Sequence, residues 1–297
     1  MISTQSIPDQ RQLFELKLRQ RALILGERTL VMGILNVTPD SFSDGGLYNA
    51  ARSAIARAVE MEAEGADIID IGGESTRPGA PAVSAEEELR RVMPVLEGIK
   101  GKLKIPISID TYKAVVADET LKAGAEIVND VSGLKFDPAL AGVVARHRAA
   151  LVLMHTRGRP EVMQKLPPSP DILAEIEQSL KESVNLALRS GVAEESIIID
   201  PGIGFGKTVE DNLAIIKHLD RFASFNLPIM IGTSRKTFIG RILGKETGER
   251  LMGTAATVAA SILRGAHIVR VHDVREMAEV ARMTDAIIKA KGNLLAG

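Results

Sequence analysis

The sequence predicts an α/β protein with the architecture of a (β/α)8 TIM barrel, whose bottom is closed by an N-terminal extension. Two observations carry this prediction: short runs rich in Ile and Val recur eight times, and each is followed by a segment with helical character. The eight units take up about 250 residues, which is the usual size of such a barrel. A doubly wound sheet is the alternative, but no G-x-G-x-x-G motif follows the first run to favour it.

The eight apolar runs are predicted to be parallel strands. They do not alternate strictly in polarity, which is typical of strands that helices cover. In chain order they are Leu30–Val37, Asp67–Ile71, Pro106–Asp110, Glu126–Val131, Ala150–His155, Ser196–Asp200, Pro228–Gly232 and His267–His272.

The segments between the strands carry signals for helix starts and helix ends. An apolar stripe at helical spacing covers 51–59. Helix starts are predicted from a capping box at Ser84 and Glu87, a cap at Thr208 and Asp211, and a cap followed by proline at Asp137 and Pro138. Helix ends are predicted at Gly65, Gly124, Gly191 and Gly265, each just before the next strand.

Residues 1–29 precede the first unit, and we expect them to lie under the barrel as a plug. A short helix over Leu13–Leu18 and a strand over Ala22–Leu25 are expected within them. The whole chain, 1–297, is then expected to be a single domain, with 1–29 as the extension and 30–297 as the barrel. Long loops are expected after the first two strands and at 156–171, where prolines cluster.

Composition and charge exclude several classes of function. Lys and Arg number 37 and Asp and Glu 38, so the formal net charge of −1 argues against nucleic acid or a membrane surface as the main partner. Cysteine is absent, which excludes thiol nucleophiles and Cys-based metal sites. No stretch has the pattern of a signal peptide or a transmembrane span. We therefore expect a cytoplasmic protein that acts on small molecules.

Polar side chains stand at the end of every predicted strand. The set is Asn36, Asp70, Asp110, Asn129, Asp130, His155, Asp200, Ser234, Arg270 and His272. Side chains alternate between the two faces of a strand, so Arg270 and His272 share one face and the valines between them share the other. The apolar face should meet the helices, which directs the polar face into the mouth of the barrel, where such barrels carry their active sites. A single buried Asp or His can be purely structural, but eight polar strand ends that converge on one mouth predict a site.

Two glycine-containing segments point to the ligand. Residues 232–237 follow the seventh strand and open a helix, so that Ser234, Arg235, Lys236 and Thr237 predict an anion site beside Arg270. A capped helix with solvated cations is the alternative. The second segment, 201–207, lacks the spacing of a phosphate-binding P-loop, and we interpret it as a tight turn that brings Phe205 close to a flat ligand. The residues alone thus predict an enzyme for a small, heteroaromatic, phosphorylated substrate.

Longer motifs resemble one known family. The segments are NVTPDSFSDGG at 36–46, DIGGESTRPG at 70–79, IDT at 109–111, NDVSG at 129–133, DPGIGFGK at 200–207, SRK at 234–236 and RVHD at 270–273. In this order they resemble the signatures of the dihydropteroate synthases, and the resemblance covers nearly the whole chain from residue 31 to about residue 286. The first two motifs are long and therefore specific, whereas Asp-Pro-Gly alone would be weak.

The resemblance implies a transferase of folate biosynthesis, usually a homodimer, that uses Mg²⁺. Such enzymes join para-aminobenzoate to 7,8-dihydropterin-6-ylmethyl diphosphate and release diphosphate and 7,8-dihydropteroate, here with an SN1-like pterin cation expected. The implied catalytic residues are Asp110, Lys236, Arg77 and Asp40. The implied substrate-binding residues are Thr76, Asp110, Asn129, Asp200, Phe205, Ser234, Lys236, Thr237, Arg270 and His272. Asn36 is the implied contact to Mg²⁺.

Two rival functions remain in view. A pterin-binding methyltransferase of the corrinoid type would share the barrel and the pterin-binding carboxylates, but it would have no diphosphate for Asn36, Arg270 and His272 to bind. A homologue without activity would be expected to have lost Lys236, Arg270 or the first loop, and all are present here.

Overall fold

The computed structural model describes residues 11–37, 46–75 and 79–290. Within these ranges the strands are β1 (Phe14–Lys17), β2 (Ala22–Leu25), β3 (Leu30–Asn36), β4 (Ile68–Gly72), β5 (Ile107–Asp110), β6 (Ile127–Asp130), β7 (Ala150–Met154), β8 (Ile197–Asp200), β9 (Met230–Ile231) and β10 (Ile268–Val271). Each of β3 to β10 lies within one of the predicted apolar runs, apart from Gly72, one residue beyond the second run. The strand prediction is therefore confirmed.

The strands β3 to β10 form a parallel sheet that closes on itself. Its hydrogen-bonded order is β8-β7-β6-β5-β4-β3-β10-β9. The two outer strands meet at a parallel bridge between Ile199 and Ile229, next to a hydrogen bond from the Ile199 N–H to the Pro228 carbonyl at 3.0 Å. The described residues therefore form the predicted eight-stranded barrel, with its shortest seam between β8 and β9.

Helices surround the sheet and fill the gaps between successive strands. They are α1 (Gly46–Glu64), α2 (Ala85–Ile99), α3 (Ala114–Ala123), α4 (Ala139–His147), α5 (Ile172–Arg189), α6 (Val209–Lys217), α7 (Thr237–Leu243), α8 (Leu251–Leu263) and α9 (Val274–Lys289). The strand-to-strand connection after β9 holds two helices, α7 and α8, where the other connections described hold one α-helix.

The predicted helix boundaries agree with the structure in most places. Thr208 and Asp211 form a reciprocal capping box at the start of α6. Ser84 caps α2 by accepting the Glu87 N–H at 3.2 Å, but the carboxylate of Glu87 pairs with arginines of the same helix and does not complete a box. The glycines at 65, 124, 191 and 265 all have positive φ, as residues that end a helix by a left-handed turn require.

The N-terminal segment differs from the sequence prediction. The helix expected over Leu13–Leu18 is wrong, because Phe14–Lys17 is strand β1, which pairs antiparallel with β2. The alternation explains this outcome: Leu16 is 1% exposed while Glu15 and Lys17 face solvent, and a period of two is the period of a strand.

The hairpin nevertheless closes the bottom of the barrel, as predicted. Leu16, Leu18 and Leu25 pack against inward-facing residues of the lower half of the barrel. Those residues are Leu30, Met32, Ile68, Ile127, Ala150, Val152, Ile198, Met230 and Ile268. Outward-facing residues of the barrel strands, such as Ile109, Val269 and Val271, join a second apolar cluster beneath the helices. The interior floor is thus apolar, and the inward-facing Asp70 and Arg270 follow the floor residues Ile68 and Ile268 in the next layer up.

No helix among the described residues is both long enough and apolar enough to cross a lipid bilayer.

Candidate active site

The upper layer of the barrel interior is polar on neighbouring strands. Strand register aligns Asn36 with Gly72, Gly72 with Asp110, and Asp110 with Asn129. Because these positions lie at the carboxyl ends of β3 to β6 and share the inward face, they form one rim of the mouth. The predicted orientation of the polar side chains into the barrel is confirmed for Asn36, Asp110 and Asn129. It is wrong for Asp130 and His155, which directly follow inward-facing Asn129 and Met154 and therefore face outward.

Arg270 of β10 joins this rim through two carboxylates. Its Nε donates a hydrogen bond to Asp70 Oδ2 at 2.6 Å, and its Nη2 donates to Asp110 Oδ2 at 2.7 Å. Asn129 Nδ2 donates to the same oxygen of Asp70 at 2.9 Å. Asp70 of β4 is therefore bonded to two other strands, β6 and β10, and it is completely buried at the centre of the network.

The buried carboxylates hold their protons more tightly than free ones. Burial raises the pKa of Asp200 to about 6, although the Gly202 N–H and Lys236 oppose the shift. Burial also raises the pKa of Asp110, and nearby Asp70 adds to the effect while Arg270 opposes it. Desolvation lowers the pKa of Arg270, yet Asp70 and Asp110 more than offset this and raise it above its usual value. Arg270 is therefore a permanent cation at the mouth.

The glycine-rich turn after β8 approaches the site as predicted. Asp200 Oδ1 accepts the Gly202 N–H at 2.7 Å, which bends the chain sharply back. A Cβ on Gly202, whose φ is +73°, would lie 1.9 Å from the carbonyl oxygen of His155, so the turn requires glycine here. Phe205 follows, with the Lys236 ammonium 4.2 Å from its ring centroid. Burial lowers the pKa of Lys236 to about 8, so it remains largely protonated at neutral pH.

An apolar cluster lines one side of the mouth. Phe205 packs with Val131, Met154 and Met163, and Tyr112 lies against them. A flat ring bound between this cluster and the carboxylates would meet apolar atoms on its face and hydrogen-bond acceptors at its edge.

The structure brings together only some of the residues of the anion site predicted after β9. Ser234 Oγ lies 3.0 Å from His272 Nδ1 and accepts the His272 backbone N–H at 3.2 Å. Arg235, in contrast, turns away and pairs with Asp273, Nε to Oδ2 at 3.0 Å. Its expected role as an anion-binding cation is therefore not supported, because its guanidinium already has a carboxylate partner. Thr237 begins α7 and is exposed.

His272 contributes a neutral ring. Burial and, to a lesser extent, repulsion by Arg270 and Arg235 together lower its pKa to about 3. At neutral pH the imidazole therefore offers one N–H donor and no net charge.

Two of the polar strand ends are structural. Asp130 accepts the N–H groups of Ser132 at 2.8 Å and Leu134 at 2.6 Å, and so it shapes the loop after β6. Burial strongly lowers the pKa of His155, whose carbonyl oxygen is one of three that Lys207 Nζ contacts. Lys207 is thus held inside the glycine-rich turn, where its ammonium group contacts backbone carbonyl oxygens.

Sequence reasoning gave no role to three residues of the site. Asp70 was identified as a polar strand end, but its place as the common partner of Arg270 and Asn129 depends on distances that no motif encodes. Val131 and Met154 form part of the apolar wall. The alternation of faces along a strand would have directed Met154 inward, since it lies two residues after inward-facing Val152.

Asp40, Thr76 and Arg77 lie outside the described residues, and so do Phe42 and Ser43 of the first loop.

The predicted Mg²⁺ contact has a limited set of ligands. Among the described residues no group of three His, Asp or Glu side chains could enclose a metal ion. Asn36 stands at the rim beside the position of Gly72 and offers one amide oxygen. Mg²⁺ usually keeps several waters and takes one or two protein oxygens together with substrate phosphates. The donors present therefore fit a metal that arrives with a diphosphate and do not fit a resident metal.

Known proteins resemble this chain over most of its length. Residues 32–272 match the model of a family described as pterin binding enzyme. A dihydropteroate synthase from Bacillus subtilis is 52% identical over 284 residues, which cover 96% of this chain and 96% of the relative.

Solved structures agree with the sequence relatives. A dihydropteroate synthase from Clostridium difficile, crystallised in the presence of pteroic acid, has a TM-score of 0.85 and 49% identity, covering 90% of this chain and 99% of that one. The enzyme from Xanthomonas albilineans with 4-aminobenzoic acid has a TM-score of 0.84 and 41% identity, covering 90% and 96%.

Proposed function

The chain belongs to the dihydropteroate synthases of the pterin-binding enzyme family, and we propose from this premise that its barrel mouth binds 7,8-dihydropterin-6-ylmethyl diphosphate and para-aminobenzoate. The enzyme condenses the two into 7,8-dihydropteroate and releases diphosphate. One observation carries the proposal for this site: buried carboxylates and a permanently charged guanidinium meet at one rim, opposite an apolar wall. Such a site suits a substrate that is a flat donor-rich ring at one end and an anion at the other.

Pterin recognition is proposed for the carboxylates and their neighbours. A pterin offers its 2-amino group and its N3–H side by side, and the two oxygens of ionised Asp200 can accept both. Asp110 and Asn129 would meet the far side of the ring, while Phe205 covers a face. Lys236, held over the Phe205 ring, would donate to a ring nitrogen or to the carbonyl oxygen of the pterin.

Diphosphate binding is proposed for Arg270 and His272. Two of the five guanidinium N–H groups of Arg270 are used by Asp70 and Asp110, which leaves three for phosphate oxygens. His272 adds a neutral donor. Asn36 would contact a Mg²⁺ ion brought by the diphosphate, and that ion, when bound, supplies neutralisation of the charge on the leaving group.

The proposed reaction begins with loss of diphosphate. The bond between the exocyclic methylene carbon and the diphosphate oxygen breaks, and its electron pair leaves with the oxygen, where Arg270 neutralises the charge. Asp110 lies at the same rim and would stabilise the resulting methylene cation. The amine of para-aminobenzoate then donates its lone pair to carbon and loses a proton to water.

The remaining predicted roles concern the second substrate and the loops. Ser234 and Thr237 are proposed to hold the carboxylate of para-aminobenzoate through their hydroxyl groups. Asp40, Thr76 and Arg77 are proposed to close over the bound substrates and exclude water, which would otherwise capture the cation.

The activity is tested by mixing purified protein, both substrates and Mg²⁺ and measuring diphosphate release. We expect release that depends on protein and forms dihydropteroate, and its absence would overturn the proposed function. The cation is tested separately with substrate labelled by ¹⁸O in the bridging position. Reversible ionisation without the amine moves the label to non-bridging positions of recovered substrate, whereas direct displacement leaves it in place.

We further propose a homodimer formed through the last two helices. Met252 at the start of α8 is 78% exposed, and Met283 and Ile287 of α9 are 64% and 55% exposed. Large apolar side chains at such exposure are typical of a surface that another chain covers. Light scattering should give twice the chain mass for the wild type, and Met252→Glu should shift the mass toward the monomer.

The chain is proposed to fold as one domain, since the hairpin of residues 14–25 packs into the barrel floor. The cytoplasm is the proposed compartment, because a substrate with several phosphate charges does not cross a bilayer unaided.

A further inference from the structure

Asp70 is a carboxylate with no assigned part in binding or catalysis, yet it touches two residues that have one. Its side chain is 0% exposed. Its Oδ2 accepts hydrogen bonds from Arg270 Nε at 2.6 Å and from Asn129 Nδ2 at 2.9 Å. A buried carboxylate is costly to desolvate, so its retention at this place calls for a physical reason beyond packing.

The contact with Arg270 determines which edge of the guanidinium is free. Nε and Nη2 form one edge of the planar group, and Asp70 and Asp110 occupy it. The adjoining edge, made of Nη1 and the second N–H of Nη2, is thereby left for a ligand. Without Asp70, the guanidinium of Arg270 could rotate about the bonds of its long side chain, and its orientation toward the ligand would be lost.

The contact with Asn129 determines which end of the amide a ligand meets. Because Nδ2 is committed to Asp70, the amide cannot flip without breaking a bond to a charged acceptor. Asn129 Oδ1 is buried and has no hydrogen-bond partner among the described residues. A buried acceptor without a partner is unfavourable unless a ligand or water completes it.

We infer that Asp70 is a positioning residue, which orients Arg270 toward the diphosphate and fixes Asn129 so that its carbonyl oxygen faces the pterin. This inference rests on the proposed function, because the ligands are those of that reaction. The second oxygen of Asp70, Oδ1, is buried and has no hydrogen-bond partner among the described residues. The proposed effect therefore rests on Oδ2 and passes through the two residues that this oxygen holds.

For the variant Asp70→Asn, Coulomb attraction alone and the positioning role predict opposite changes in anion affinity. Asp70→Asn removes a negative charge beside the anion site, which by Coulomb's law alone would tighten binding of an anion. If positioning dominates, the same variant weakens anion binding, because a neutral acceptor holds Arg270 less firmly than a carboxylate does. Whether anion affinity rises or falls in Asp70→Asn therefore distinguishes the Coulomb effect from positioning.

The experiment measures binding of inorganic pyrophosphate with Mg²⁺, and of 6-hydroxymethyl-7,8-dihydropterin, by titration calorimetry. For Asp70→Asn we expect both affinities to fall by about tenfold, which is the difference between a charged and a neutral acceptor. At saturating pterin substrate, KM for para-aminobenzoate should stay unchanged, which a general loss of structure would not allow. Unchanged or tighter pyrophosphate binding would overturn the inference.

Asp130→Asn is the matched control. Asp130 is also 0% exposed and stands at a strand end, but it faces the loop N–H groups of Ser132 and Leu134. We expect this variant to lose stability and to keep both affinities within about twofold. Equal losses of affinity in the two variants would mean that any buried carboxylate here acts only through stability.

A double-mutant cycle shows whether Asp70 acts through Arg270. In an Arg270→Met background, Asp70→Asn should weaken pyrophosphate binding no further, and an independent second loss would contradict the inference.

If Asp70→Asn does not fold, a crystal structure of the wild type with pyrophosphate tests the inference instead. Arg270 must keep its bond to Asp70 while it contacts the anion. A wild-type protein that binds neither probe would instead overturn the proposed function.

Discussion

Replacement of Asp200 by Asn should strongly weaken pterin binding and at the same time make the protein more stable at neutral pH. Asp200 is 4% exposed, and burial raises its pKa from 3.8 to about 6. The exchange keeps the shape of the side chain, and the amide oxygen of Asn can still accept the Gly202 N–H that Asp200 Oδ1 accepts at 2.7 Å. The substitution removes the negative charge that would accept hydrogen bonds from the 2-amino group and the N3–H of a pterin.

The pKa fixes the size of the stability gain. The folded pKa lies about two pH units above the unfolded value, and one unit corresponds to about 1.4 kcal/mol. The folded protein binds the proton more tightly, so Asp200 stabilises the fold below about pH 4, and this contribution is lost as the pH rises through about 6. Above that pH the buried charge costs about 3 kcal/mol relative to a group that stays neutral.

Urea unfolding of wild type and Asp200→Asn across this pH range measures the effect. We expect the free energy of unfolding of the variant, minus that of the wild type, to increase by about 2 kcal/mol between about pH 4.5 and pH 8. Pterin affinity at pH 8 should fall by about a hundredfold, because two charge-assisted hydrogen bonds are lost.

Asp130→Asn serves as the control for this measurement too. Burial raises the pKa of Asp130 to about 6 as well, but both of its oxygens accept backbone N–H groups. An amide there sets its NH₂ group against one N–H, which costs about 1–3 kcal/mol at every pH. The pH-dependent part of the stability change should resemble that of Asp200→Asn, because burial raises the two pKa values to a similar level. A stability difference between Asp200→Asn and wild type that does not change with pH would refute the reasoning for Asp200.

Three further predictions concern the floor, the turn and the metal. Leu16→Ala should lower the free energy of unfolding by about 2–5 kcal/mol in urea titrations and leave KM for both substrates unchanged, because Leu16 lies in the barrel floor, away from the mouth. Gly202→Ala should lower the melting temperature and abolish pterin binding, because its Cβ would overlap the His155 carbonyl, and a variant as stable as the wild type would contradict the geometry. Removal of Mg²⁺ with EDTA should slow diphosphate release, and added Mg²⁺ should restore it; a rate indifferent to EDTA would exclude the proposed metal.

Strand positions and the location of the site could be predicted because they depend on local patterns. Apolar runs and alternation of faces suffice to direct Asp110 and Arg270 into the mouth. Strand β1 was harder to predict from the sequence. Its four residues have two apolar positions, which fit one turn of helix as well as a short strand, and only the pairing with β2 shows that the segment is a strand.

The roles of individual charged residues depend on contacts that sequence does not encode. Asp130 and Asp200 both end strands in apolar surroundings, but one satisfies loop N–H groups and the other faces the mouth. Arg235 and Lys236 are adjacent, yet the positive φ of Arg235 turns its side chain to Asp273. Asp70 was visible as a strand end, but its contact with Arg270 links residues 200 positions apart in the chain.

The most direct test of the account is whether the polar mouth forms the product. Wild type, Asp200→Ala and Asp130→Asn would be incubated with dihydropterin diphosphate, para-aminobenzoate and Mg²⁺, and dihydropteroate would be quantified by mass spectrometry. The account predicts product from wild type and from the folded fraction of Asp130→Asn, and none above background from Asp200→Ala. Wild-type turnover by Asp200→Ala, or no product from the wild type, would contradict it.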